Sequence, residues 1–107
     1  MTAFTLSDLA VRVKERAQAS ADVSYTRKLL DRGVAHCAKK LGEEAVETAL
    51  AAVGEDRERV AAEAADLLYH LLVLWAVAGV SPADVAAELA RREDTSGIEE
   101  KRARANL

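Results

Sequence analysis

The chain has 107 residues, 50% apolar, 31% charged and only 4% aromatic, with five Gly and one Pro. It is long enough to bury one core and too apolar for a disordered segment, and its shortage of aromatic residues, Gly and Pro excludes a strand-rich sandwich or barrel in favour of helices. Fifteen basic against eighteen acidic side chains give a net charge of −3, so nucleic acid and anionic membranes are not expected partners, and an anionic ligand has to be met locally.

The first helix is predicted from Leu6 to near Ala19. Thr5 with Asp8 three residues on forms an acidic capping box, and Leu6, Leu9, Ala10, Val13 and Ala17 recur at helical spacing. Ser24 caps a short second helix that stops at Gly33. A third runs from Val34 to Val53 and halts at Gly54. Asp56 caps a fourth, which reaches Ala78 and is closed by Gly79. Ser81, Pro82 and Asp84 start a fifth, ending at about Arg92. Residues 1–94 read as one all-α domain and 95–107 as a tail with a basic cluster at Lys101, Arg102 and Arg104.

Cys37 is the only cysteine, which rules out an intrachain disulfide or a Cys-rich zinc site and suits a reducing compartment. The N-terminus lacks a basic region followed by an apolar stretch. The longest apolar run, Leu67–Ala78, is interrupted by His70 and falls short of the roughly 20 residues of a membrane span. A soluble cytoplasmic protein is expected. The same run is apolar on every side over ~18 Å of helix and needs three or four neighbouring helices around it, which one short chain barely supplies. The expected architecture is therefore an all-α bundle of four to five helices around a central antiparallel hairpin, completed by homo-oligomerisation.

The sharpest chemical feature is acidic. Glu44 and Glu47 are spaced i, i+3 on the third helix, and so are Glu63 and Asp66 on the fourth, so each pair shares a face. Both pairs lie symmetrically about residue 55, at the short turn, which sets Glu44 level with Asp66 and Glu47 level with Glu63. Acids spaced three apart are common on exposed, solvated helix faces, but Glu63 sits among alanines and Asp66 directly precedes the apolar run. Partly buried carboxylates so crowded repel one another unless a cation holds them. All-oxygen ligands on rigid helices suit Mg²⁺ or Mn²⁺. The chain has no Glu-x-x-His di-iron motif, EF-hand loop, Walker-type loop or zinc-protease His pair. His70, four residues after Asp66, can touch that carboxylate or serve as a hydrogen-bonded core histidine.

Glu44-x-x-Glu47 followed by Glu63-x-x-Asp66 resembles the metal motif of the all-α nucleoside triphosphate pyrophosphohydrolase superfamily, which includes the MazG-type enzymes. Ser24-Tyr25-Thr26-Arg27-Lys28-Leu29-Leu30, Lys40 to Glu47, Glu63 to His70 and the segment Ser96 to Lys101 together are similar to the phosphoribosyl-ATP pyrophosphatase family of histidine biosynthesis. The resemblance spans about residues 4 to 104. It implies hydrolysis of phosphoribosyl-ATP to phosphoribosyl-AMP and pyrophosphate, with Mg²⁺ held by Glu44, Glu47, Glu63 and Asp66. The general base would be Glu47, with Glu44 as the alternative, while Glu43 either assists the metal indirectly or pairs with Lys39. Lys40, one turn before Glu44, is the first candidate for a phosphate contact, then Lys28. Ser24, Tyr25 and Thr26 are candidate pocket residues beside their plainer roles as cap, packing and first-turn residues. Lys101 and Arg104 are candidates to close over substrate, and Trp75 reads as core. The chain has no room for the cyclohydrolase to which the enzyme is fused in some organisms. Two other readings remain open: a house-cleaning hydrolase of noncanonical nucleotides with the same acids, and a non-catalytic helical dimerisation module.

Overall fold

The computed structural model describes residues 3–93 and 96–105, and among these the chain forms six helices and no strand. They are α1 (Leu6–Ala17), α2 (Tyr25–Arg32), α3 (Val34–Val53), α4 (Arg57–Ala78), α5 (Pro82–Arg91) and α6 (Gly97–Ala105). The all-α class is as expected. The division between residues 94 and 95 falls outside the described residues.

Caps explain most boundaries. Thr5 accepts the Asp8 N–H at 3.1 Å while the Asp8 carboxylate accepts the Thr5 N–H at 2.9 Å, and these bonds hold the Asp8 carboxyl below its ordinary value. α1 stops at Ala17, two residues before its expected end, where the Gln18 N–H turns back to the Glu15 and Arg16 carbonyls. Gly33 has φ +89°, a conformation an L side chain rarely adopts, and this single residue separates α2 from α3 in a sharp corner. Asp56 accepts the Arg59 N–H at 3.1 Å and starts α4, and Ser81 with Asp84 forms a capping box at α5.

α3 and α4 lie antiparallel and make the most extensive contact in the molecule, with α1 and α2 packed across one end. The core is small: Val13 of α1, Leu29 of α2, Cys37 of α3 and Leu72 and Val73 of α4 are buried, with Tyr69, Leu74 and Trp75 packed against them. Trp75 is thus a core residue, as read. Within the tail, residues 97–105 are helical. Ser96 accepts the Glu99 N–H at 3.1 Å, a cap hidden in the sequence behind the more conspicuous basic cluster.

α4 is not enclosed by its own chain. Of the run Leu67–Ala78 only His70, Leu72 and Val73 are buried, and Leu68 is 36% exposed. Outside the core, Val46, Leu50 and Val53 form an exposed apolar stripe on α3, and Leu89 and Ile98 are exposed on α5 and α6. The radius of gyration is 16.1 Å, against about 13 Å for a compact domain of this length. α4 also differs from its sequence reading in one respect. At 22 residues, with mean hydropathy 1.6 over its most apolar window, it is long and apolar enough to cross a membrane. The alanines around Glu63 extend the apolar run toward the N-terminus. A span would carry Glu63, Asp66 and His70 into lipid, where an Asp near the centre costs about 2.5–3.5 kcal/mol. Their place against α3 instead makes this a bundle helix.

Candidate metal and polyphosphate site

The antiparallel hairpin brings the acids of α3 and α4 together. One carboxylate oxygen each from Glu44, Glu63 and Asp66 lies within 4.8 Å of the others. Glu47, exposed like Asp66, lies beside them, near enough for its charge to act on both Glu44 and Glu63.

The electrostatics of the group are unfavourable as it stands. Burial, followed by the charges of Glu47 and Asp66, pushes the Glu44 carboxyl above its ordinary value. For Glu63 the hydrogen bond with Glu47 is the largest cause of a rise, ahead of burial and the charges of Glu47, Glu44 and Asp66. Glu44 Oε2 is buried and has no hydrogen-bond partner. A buried carboxylate oxygen without a donor is costly, and the nearest cations do not relieve it. Arg59 reaches Glu63 only at 4.0 Å, and Lys40 is hydrogen-bonded to Glu43 at 3.3 Å. A hard divalent cation supplies what is lacking, so the donor set fits Mg²⁺ or Mn²⁺.

His70 faces this group from below. Its Nε2 is 4.0 Å from Glu44 Oε1, across the hairpin. Burial, then the positive charge of Lys40, pushes the imidazole below its ordinary value, which leaves it neutral at pH 7 and the contact uncharged on the histidine side. The single-helix spacing pointed to Asp66, whose charge His70 also feels, but could not reveal the approach to Glu44 on the facing helix. Glu43 lies outside the group and pairs with Lys39 and Lys40.

The other candidate residues fall into three places. Ser24 and Thr26 are buried, and their hydroxyls are hydrogen-bonded inside the fold. Ser24 donates to the Arg16 carbonyl at 2.8 Å and caps α2, and Thr26 shares a 2.5 Å hydrogen bond with the Tyr69 hydroxyl. Tyr25 between them is 55% exposed, its ring centroid 6.4 Å from both Tyr69 and His70. Tyr25, Lys28 and Lys40 line a cleft of about 470 Å³ between α2 and α3, together with Arg32 and His36. The last two were missed in the sequence, although Lys28, Arg32, His36 and Lys40 recur at every fourth position. Lys101 and Arg104 are exposed on α6, which meets α5 through the 2.6 Å ion pair of Glu100 with Arg91, and the charge of Arg104 falls on Glu100 of its own helix. They are not brought to the acids within this chain.

Known proteins have similar sequences. The family described as phosphoribosyl-ATP pyrophosphohydrolase matches residues 6–93. A phosphoribosyl-ATP pyrophosphatase of Azorhizobium caulinodans is 62% identical over 94% of this chain and 92% of its own length. Those of Nitrobacter winogradskyi and Rhizobium meliloti are 58% and 55% identical, covering 97% and 99% of this chain and 90% and 99% of their own. With a family match across most of the helical body and relatives this similar from end to end, the chain belongs to the phosphoribosyl-ATP pyrophosphohydrolase family.

Proposed function

We propose that the protein hydrolyses phosphoribosyl-ATP to phosphoribosyl-AMP and pyrophosphate, the second step of histidine biosynthesis, with Mg²⁺ or Mn²⁺ held by Glu44, Glu47, Glu63 and Asp66. The observation that carries this reading is the convergence of the Glu44, Glu63 and Asp66 oxygens within 4.8 Å around an unpartnered buried oxygen, in a chain of this family. Bound there, the cation supplies charge neutralisation for the polyphosphate and acidifies a water.

The protein's own groups do the rest. Glu47, an exposed acid on α3 beside Glu63, accepts the proton of the attacking water. His70 stays neutral and packs against Glu44, fixing that carboxylate without competing for it as a cation. Lys40, once it leaves Glu43, offers its ammonium to a phosphate oxygen, which stabilises the charge that grows on the departing pyrophosphate as the α–β phosphoanhydride breaks.

A second copy of the chain covers the exposed part of α4 and the α3 stripe in this reading, and a cytoplasmic setting suits the single buried thiol of Cys37. Pyrophosphate release from phosphoribosyl-ATP and from a panel of free nucleoside triphosphates tests the assignment. Preference for phosphoribosyl-ATP, lost in Glu47→Gln with the fold retained, is expected. Preference for the free triphosphates would assign a house-cleaning role, and no release from any of them would leave a non-catalytic module.

A further inference from the structure

The cleft at the α2–α3 corner holds none of the four acids and is lined by basic side chains. Lys28 and Arg32 come from α2, His36 and Lys40 from α3, and Tyr25 closes one side. The Gly33 corner gathers them: it folds the start of α3 back beside α2, so that side chains four residues apart line one hollow. Its volume of about 470 Å³ is in the usual range for small-ligand sites.

The charge there is barely compensated. Asp31, the acid among the lining residues, is held by Arg27 through a 2.8 Å hydrogen bond from Nε. Lys28 and Arg32 have no carboxylate within ion-pair distance among the described residues. The imidazole of His36 is pushed below its ordinary value, first by desolvation and then by the charges of Arg32, Lys39 and Lys40, against the opposing charge of Glu43. In a chain of net charge −3 this is a local anion site.

It also adjoins the acids. Lys40 lines the cleft and its charge reaches Glu44, while the Tyr25 ring lies 6.4 Å from His70, itself 4.0 Å from Glu44. Two neighbouring sites therefore make opposite demands: the acids accept phosphate only through a cation, and the cleft accepts it directly. Phosphoribosyl-ATP carries phosphate in two places, a triphosphate on one ribose and a monophosphate on the other, whereas a free nucleoside triphosphate carries it in one.

We propose that Lys28, Arg32 and His36 in this cleft bind the ribose 5-phosphate end of the substrate, leaving Lys40 to the triphosphate, with Arg32 as a specificity-determining residue that separates phosphoribosyl-ATP from free nucleoside triphosphates. This rests on the function proposed above. The guanidinium makes paired hydrogen bonds to a phosphate dianion, a geometry lysine does not reproduce.

The test compares wild type, Arg32→Gln and Arg32→Lys, with circular dichroism to establish that each is folded; Arg32 is exposed at a helix end, so both variants are expected to fold. Arg32→Gln is expected to raise KM for phosphoribosyl-ATP about tenfold or more with kcat within about twofold, as loss of a charged hydrogen-bond pair implies. Arg32→Lys is expected to recover part of the loss. Ribose 5-phosphate should bind wild type by calorimetry and bind Arg32→Gln more weakly, with inhibition by pyrophosphate unchanged. An unchanged KM, or weakened inhibition by pyrophosphate with ribose 5-phosphate binding intact, would overturn the proposal, the latter by giving the cleft to the leaving group. Failure of wild type to turn over phosphoribosyl-ATP would instead refute the enzymatic reading, and ribose 5-phosphate binding would still report separately on the cleft.

Discussion

Replacing Thr26 by Val and Tyr69 by Phe, singly and together, tests how the fold positions Tyr25 between the two sites. The two hydroxyls share a 2.5 Å hydrogen bond, Thr26 being 3% exposed and Tyr69 half-buried. Tyr69→Phe leaves the Thr26 hydroxyl without this partner inside the protein, and an unsatisfied buried group costs about 1–3 kcal/mol. Thr26→Val leaves the Tyr69 hydroxyl, which can reach water more easily, so its cost lies near the lower end, about 1 kcal/mol. The double variant removes donor and acceptor together and is expected to cost little more than one single change, a coupling of about 1 kcal/mol. At about 4 °C per kcal/mol for a domain of this size, the singles lower Tm by roughly 4–12 °C. Urea unfolding at fixed protomer concentration measures the cycle, because association would otherwise shift the midpoints. Additivity within about 0.3 kcal/mol would refute the reasoning and show that the hydroxyls act independently.

Glu44→Gln keeps the shape of the side chain and removes one charge from the crowded acids, so the metal-free variant is expected to unfold at or above the wild-type temperature and to lose its response to Mg²⁺. Wild type with Mg²⁺ at about 100 times its Kd gains about 2.7 kcal/mol, some 10 °C by thermal unfolding; equal Mg²⁺ shifts in both proteins would exclude Glu44 as a ligand. Cys37 is 1% exposed, its thiol donates to the Leu29 carbonyl at 3.2 Å, and burial raises its pKa. The unfolded thiol loses its proton first, at about pH 8.5. The stability contributed by the protonated form is therefore complete below that pH and is lost as pH rises toward the folded value. Urea midpoints between pH 7.5 and 9.5 should fall more steeply in wild type than in Cys37→Ala, and alkylation of native Cys37 should be slow; matching slopes or rapid labelling would contradict the burial.

The acidic group was legible because two simple periodicities coincide: three-residue spacing puts each pair on one face, and a short turn at residue 55 sets the faces opposite each other. Ser24 was legible as a cap for the same local reason. What one helix alone cannot show is which residue of its neighbour it meets, so the approach of His70 to Glu44 and the bond of Thr26 to Tyr69, 43 positions apart, had no signal in local spacing. The basic cleft did have one, a positive or titratable residue at every fourth position from 28 to 40, obscured because Gly33 appeared only as a boundary. In α6, Ser96 and Glu99 carried the start signal, overshadowed by the charges that follow. The all-round apolar run of α4 pointed beyond the chain, and much of it is indeed left uncovered by the described residues.

The most direct test of the metal-centred account is a crystal grown with Mn²⁺ and a non-hydrolysable phosphoribosyl-ATP analogue, with data collected at the manganese edge. The account predicts an anomalous peak in bonding contact with oxygens of Glu44, Glu63 and Asp66 and of the triphosphate. Bound analogue with no peak there, and the three carboxylates turned apart, would contradict it.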